Sequence, residues 1–140
     1  MALILDTSAF LKLFVAEEHS SNVRQWVIDA DEVLASCVAY VEAYSAIARL
    51  GGAGSLSKRD AAAVRDQIES GWQHITSISL DIPVAGAVAT RHRLRTLDAI
   101  HLAAALTYRD KAPSEHLAFC CFDARLNAAA AAEGLRVLTA

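Results

Sequence analysis

Ala2-Leu3-Ile4-Leu5-Asp6-Thr7-Ser8-Ala9-Phe10-Leu11-Lys12-Leu13-Phe14 changes its hydrophobic period in the middle. Four consecutive apolar residues, 2–5, read as a short strand buried on both faces. Asp6 ends that run. From Thr7 to Ala16 the residues Phe10, Leu13 and Phe14 fall on one face of a helix. The pattern returns near the other end. Leu117 to Phe122 is an apolar run, Asp123 ends it and caps a helix to Glu133, and Gly134 stops that helix.

Working inward, Ser20 or Ser21 caps a second helix to Ala30, and Val33-Leu34-Ala35 is a second strand candidate. Helical periodicity resumes from Ala39 to Leu50 and ends at Gly51-Gly52. Ser57 caps a long helix to about His74. Ile75 to Leu80 alternates and predicts a half-exposed strand. Asp81 and Pro83 open a helix to about Leu94, and Thr96 caps one from Leu97 to about Lys111. Pro113-Ser114 breaks the pattern, and Leu135–Leu138 is a last strand. Strands alternating with helices predict an α/β fold with a mostly parallel sheet covered on both faces.

The 140 residues fit a single domain, 1–140, with no repeat and no internal boundary. The chain is 54% hydrophobic, which supports a real core, and its 29 alanines favour closely packed helices. No apolar run reaches the roughly 18–20 residues that span a membrane. No basic stretch precedes the N-terminal apolar run, which argues against a signal peptide. Cys37, Cys120 and Cys121 form neither a disulfide framework nor a zinc spacing, so they are expected as reduced core residues of a cytoplasmic chain. The net charge of −3 gives no global nucleic-acid footprint, so any such surface must be local. Arg91, His92, Arg93 and Arg95 form the one basic cluster: candidate contacts to a phosphate backbone, or a solvated helix face.

Four acids remain to be explained. Asp6 and Asp123 end buried strands, and ligands of open α/β sheets bind at the carboxyl ends of strands. Both are equally good helix N-caps. Glu42 follows the second strand on a small, apolar helix face, and the helix dipole offers it an alternative role. Asp98 shares a face with Leu102 and Ala105 and has the same alternative. His101 lies one turn on, as a core or boundary histidine or a member of the site. Trp26 and Trp72 fit helix cores. Clustered acids without bases repel one another unless a cation neutralises them, and oxygen-only ligand sets favour Mg²⁺ or Mn²⁺. Together these point to a metal-dependent phosphoryl-transfer or nuclease site.

The chain resembles a known family at three places. Leu5-Asp6-Thr7-Ser8-Ala9-Phe10-Leu11-Lys12-Leu13 resembles the opening of a PIN domain of the VapC toxin class. Leu97-Asp98-Ala99-Ile100-His101-Leu102-Ala103-Ala104-Ala105 is similar to its second signature, and Phe122-Asp123-Ala124-Arg125-Leu126 to its third. Glu42 matches the remaining acid, and Cys121 stands where a small hydroxyl residue is common. The resemblance covers essentially the whole chain. It implies a three-layer PIN-like fold with a parallel five-stranded sheet. It implies an endoribonuclease acting as the toxin of a type II toxin–antitoxin pair, with Asp6, Glu42, Asp98 and Asp123 as catalytic acids and metal ligands. Mg²⁺ or Mn²⁺, an RNA substrate, a homodimer and a cognate VapB-like antitoxin follow from it. Metal held by Asp6 and Asp98, with Glu42 and Asp123 nearby, would activate water for in-line attack, leaving 5′-phosphate and 3′-hydroxyl ends. An inactive PIN-fold RNA- or protein-binding module, or a housekeeping nuclease, is the alternative. A haloacid-dehalogenase-type phosphatase needs a second Asp where Ser8 stands, and no receiver-domain acid pair or P-loop is present.

Overall fold

The computed structural model describes residues 1–113 and 116–139, so Ser114, half of the predicted break, lies outside the described residues. Strand β1 (Ala2–Leu5) is buried along its whole length, and helix α1 (Thr7–Leu11) follows directly from Asp6. Then come α2 (Ser20–Asp29), β2 (Glu32–Ser36), α3 (Val38–Gly52), α4 (Lys58–Trp72) and β3 (Thr76–Ile78). The second half runs α5 (Ile82–His92), α6 (Thr96–Lys111), β4 (Leu117–Cys120), α7 (Ala124–Ala132) and β5 (Arg136–Leu138).

The five strands form one parallel sheet in the order β3-β2-β1-β4-β5. The alternation of β1 explains the layers. Leu3 and Leu5 pack with Phe10, Val23, Ile47 and Ile68 of α1 to α4 on one face. Ala2 and Ile4 pack with Val88, Leu102 and Leu126 of α5, α6 and α7 on the other. The N-terminal strand is therefore the middle of the sandwich, and its apolar run has no polar alternation because both faces are covered. Cys120 and Cys121 fall on opposite faces, and all three cysteines are free. Burial pushes the Cys120 thiol up to about 12. Among the described residues no helix is long and apolar enough to cross a membrane.

Several boundaries differ from the sequence reading. Helix α1 stops at Leu11 rather than Ala16. Residues 12–14 tighten into turns with Leu13 N–H donating to Phe10 O and Phe14 N–H to Leu11 O, so Phe10 and Phe14 still meet edge-to-face at 5.0 Å. The Phe14 ring then approaches α4 so closely that a Cβ on Gly71 would stand 2.7 Å from it. Neither Ser20 nor Ser21 caps α2. His19 holds the N-cap position with a left-handed φ of 66°, while the Ser20 hydroxyl accepts from Glu17 N–H and donates to Val15 O.

Helix α3 runs through Gly51 and Gly52 because the left-handed residue that closes the turn is Gly54, at φ 76°. Helix α5 ends at His92, where Arg93 takes the left-handed cap at φ 53°. Thr96 does not cap α6. Arg95 is the N-cap without a side-chain bond, so Asp98 becomes the third helical residue. Strand β3 covers only 76–78 of the predicted 75–80, a short edge that offers little to strand pairing. Strand β4 ends at Cys120 because pairing with β1 ends at Leu5.

Candidate functional site

The strand order reverses between β1 and β4, the switch point where ligands of such sheets bind. Leu5 and Cys120 are the last paired residues there, and Asp6 N–H closes on Cys120 O at 3.1 Å. Beyond that pair the two chains turn into α1 and α7, carrying Asp6 and Asp123 over the sheet end. Helix α3, entering after β2, contributes Glu42, and the first turn of α6 contributes Asp98. All four acids line one open cavity of about 410 Å³.

Each acid is held differently. Asp6, 7% exposed, accepts Ala9 N–H on Oδ1 at 2.8 Å, and the Ser8 hydroxyl lies 2.8 and 2.9 Å from its two oxygens. Asp123 Oδ1 accepts the N–H groups of Arg125 and Leu126, both at 2.9 Å. So both aspartates are N-caps as well as members of the cavity wall. The Cys121 sulfur takes the Asp123 N–H at 3.2 Å, in the place where a hydroxyl would sit.

Glu42 Oε2 is engaged by the Thr7 hydroxyl at 2.5 Å and by His101 Nε2 at 2.6 Å. Burial would raise the Glu42 carboxyl, but hydrogen bonds from His101 and Thr7, with the charges of His101 and Arg49, outweigh it and hold it below the ordinary glutamate value. Asp98 goes the other way. Burial, then the negative charges of Asp123 and Asp6, raise it above the ordinary aspartate value, against weaker opposition from His101 and Arg95.

Among the described residues no hydrogen bond reaches Glu42 Oε1, Asp123 Oδ2 or either oxygen of Asp98. Nor does any trio of His, Cys, Asp or Glu close into a metal-ligand shell among them. The acids ring an open cavity; they do not form a closed cage.

The basic cluster is divided. Arg95 lines an adjoining cavity with Glu42, Asp98 and Asp123. Arg91 lines neither cavity. Its Nη1 and the His92 ring both engage Glu133 at the end of α7, at 2.5 and 2.7 Å. Arg93, exposed, is occupied as the α5 cap, and its carbonyl accepts from Arg125 Nη2. The sequence reading missed Arg49, which lines the acidic cavity two helical turns after Glu42 on α3. The seven-residue spacing was the available signal. It also missed Thr7 and Ser8 as the groups that orient Glu42 and Asp6. Trp26 and Trp72 are partly buried and pack against the core, Trp72 edge-to-face with Phe10 at 5.5 Å.

The PIN domain family model matches residues 3–132. Ribonuclease VapC45 of Mycobacterium tuberculosis is 34% identical over 138 residues, 96% of this chain and 93% of the relative. A toxin–antitoxin complex from Klebsiella pneumoniae superposes with a TM-score of 0.63 at 14% identity, covering 86% of each chain. VapC20 of M. tuberculosis, described as a sarcin–ricin loop cleaving toxin, gives a TM-score of 0.60 at 16% identity, over 91% of this chain and 94% of that one.

Proposed function

Because the chain belongs to the PIN domain family, we propose that it is the toxin of a type II toxin–antitoxin pair, an endoribonuclease that hydrolyses RNA phosphodiester bonds. The observation that carries this reading is the convergence of Asp6, Glu42, Asp98 and Asp123 on one cavity at the switch point, against a single arginine in its wall. Capping accounts for Asp6 and Asp123 singly, but it does not account for Glu42 and Asp98 beside them. The cost of the cluster is visible in the raised Asp98.

The donor chemistry fits Mg²⁺ or Mn²⁺. Every candidate ligand is a hard oxygen, and Mg²⁺ keeps several waters and takes one or two carboxylates plus substrate phosphate rather than a closed protein cage. Asp98, Asp6 and the unbonded oxygens of Glu42 and Asp123 would hold it. When bound, the ion supplies a Lewis acid that lowers the pKa of water and offsets charge on the phosphate. The protein's own groups do the rest. Ser8 and Ala9 N–H fix Asp6, Thr7 and His101 fix Glu42, and Arg49 and Arg95 stand beside the acids to hold backbone phosphates. In-line attack by water leaves 5′-phosphate and 3′-hydroxyl ends. The proposal includes a homodimer, a cognate VapB-like antitoxin and a cytoplasmic setting. Exposed Val41, Ile82 and Leu97 supply apolar surface for partners to cover.

Incubation of the purified chain with RNA, with and without EDTA, tests it. Cleavage that stops with chelator and returns with Mn²⁺ is expected. Cleavage surviving excess EDTA rejects the metal mechanism, and no cleavage with any divalent ion favours a binding module. Expressed alone, the chain should arrest bacterial growth, and a neighbouring antitoxin should relieve the arrest. Harmless overexpression of an RNA-cleaving chain would favour a housekeeping nuclease.

A further inference from the structure

We propose that His101 is a positioning residue, which holds Glu42 by Oε2 through its Nε2–H and so presents Oε1 to the acidic cavity. This deepens the nuclease reading and rests on it. His101 sits one turn after Asp98 on α6 and is 4% exposed. Its Nε2 lies 2.6 Å from Glu42 Oε2 and 3.1 Å from the Thr7 hydroxyl, which itself donates to the same oxygen at 2.5 Å. A bare Nε2 would aim a lone pair at a carboxylate at that distance, so Nε2 carries the hydrogen. Two donors on one oxygen fix the carboxylate's rotation and leave Oε1 as the oxygen Glu42 offers the cavity it lines.

The other ring nitrogen argues against a purely architectural histidine. Nδ1 is buried and has no partner among the described residues. A side chain kept for packing would do better as leucine, which has no unmet polar atom. The hydrogen bonds that His101 makes all run through Nε2, to Glu42 Oε2 and the Thr7 hydroxyl that shares that oxygen. Groups that orient a ligating carboxylate from behind typically change metal affinity or activity 10–100-fold when removed.

The geometry makes an uneven demand on substitutes. Glutamine places an amide N–H near the position of Nε2, whereas asparagine reaches only as far as the silent Nδ1. The test compares His101→Leu, His101→Asn and His101→Gln by Mn²⁺ titration calorimetry of the metal-free chain, by RNA kcat and KM, and by thermal melts. Leucine and asparagine should weaken Mn²⁺ binding and lower kcat by about 10-fold or more, with KM for RNA little changed. Glutamine should return both to within about 3-fold of wild type. Leucine equal to wild type, or glutamine no better than asparagine, overturns the inference. If the leucine variant does not fold, the asparagine–glutamine pair decides alone. Wild type that neither binds Mn²⁺ nor cleaves RNA overturns the nuclease reading, and the inference with it. Wild type that does both while all variants match it overturns the inference only.

Discussion

Asp98 and Asp123 line the same cavity at the end of the sheet, one from the first turn of α6 and one from the cap of α7, and the charge of Asp123 helps hold the Asp98 carboxyl above its ordinary range. That relationship has a pH signature. The folded chain binds the Asp98 proton more tightly than the unfolded chain, so between the two pKa values stability falls as pH rises. The cost is absent below the unfolded value and complete above the folded one. Asp98→Asn should therefore raise the melting temperature of the metal-free chain at pH 7, and the gain should vanish near pH 3. A gain that persists undiminished at pH 3 would show that ionisation is not its source.

Divalent metal should reverse the same repulsion. Mn²⁺ at ten times its Kd should stabilise the wild-type chain by about 1.4 kcal/mol. Asp98→Asn should shrink that increment. Equal metal shifts in the two proteins would remove Asp98 from the site.

Asp123 has two roles that substitutions can separate. Asn caps about as well as Asp, whereas Ala loses about 1 kcal/mol of helix capping. Without metal, Asp123→Asn should melt at or slightly above wild type, since it keeps the cap and relieves the repulsion of Asp98, and Asp123→Ala should melt below Asp123→Asn. Both should weaken the Mn²⁺ effect. Asp6→Asn keeps its cap in the same way, yet it should cut RNA cleavage by about 10²-fold, as should Asp98→Asn.

The divided arginines make a contrast. Arg49→Ala and Arg95→Ala should weaken RNA binding and each reduce its log–log salt slope by about 1. Arg91→Ala should leave cleavage unchanged and alter stability by no more than about 1 kcal/mol, because the Arg91 side chain is exposed and Glu133 keeps His92 as a partner. Binding assays across a salt series would expose an error in either assignment.

The sheet, and with it the places of Asp6 and Asp123, were legible because β1 and β4 are short, doubly buried strands, the first followed directly by Asp6 and the second, after Cys121 and Phe122, by Asp123. The boundaries were less legible for a physical reason. Helix ends here are closed by backbone conformation, at His19, Arg93 and Gly54, and side-chain capping preferences do not register a left-handed arginine or histidine. The basic cluster of the sequence is divided in the fold for a related reason. Arg91 and Arg95 lie on either side of the Arg93 turn, and Glu133, 42 residues from Arg91, claims the first of them. The place of Arg49 was legible only through its seven-residue spacing from Glu42, a signal that gains meaning once Glu42 is known to line the cavity.

Strand β1 sits at the centre of the sheet, yet one of its two neighbours is β4, and Ala2 pairs with Leu117. During synthesis β1 therefore waits, half-flanked, until β4, whose Leu117 lies 115 residues after Ala2 (117 − 2), leaves the ribosome. Asp123 arrives over the cavity only then. A chain stalled before β4 carries three of the four acids but lacks the strand that completes the cleft, so translation itself withholds the assembled site until both strands are made.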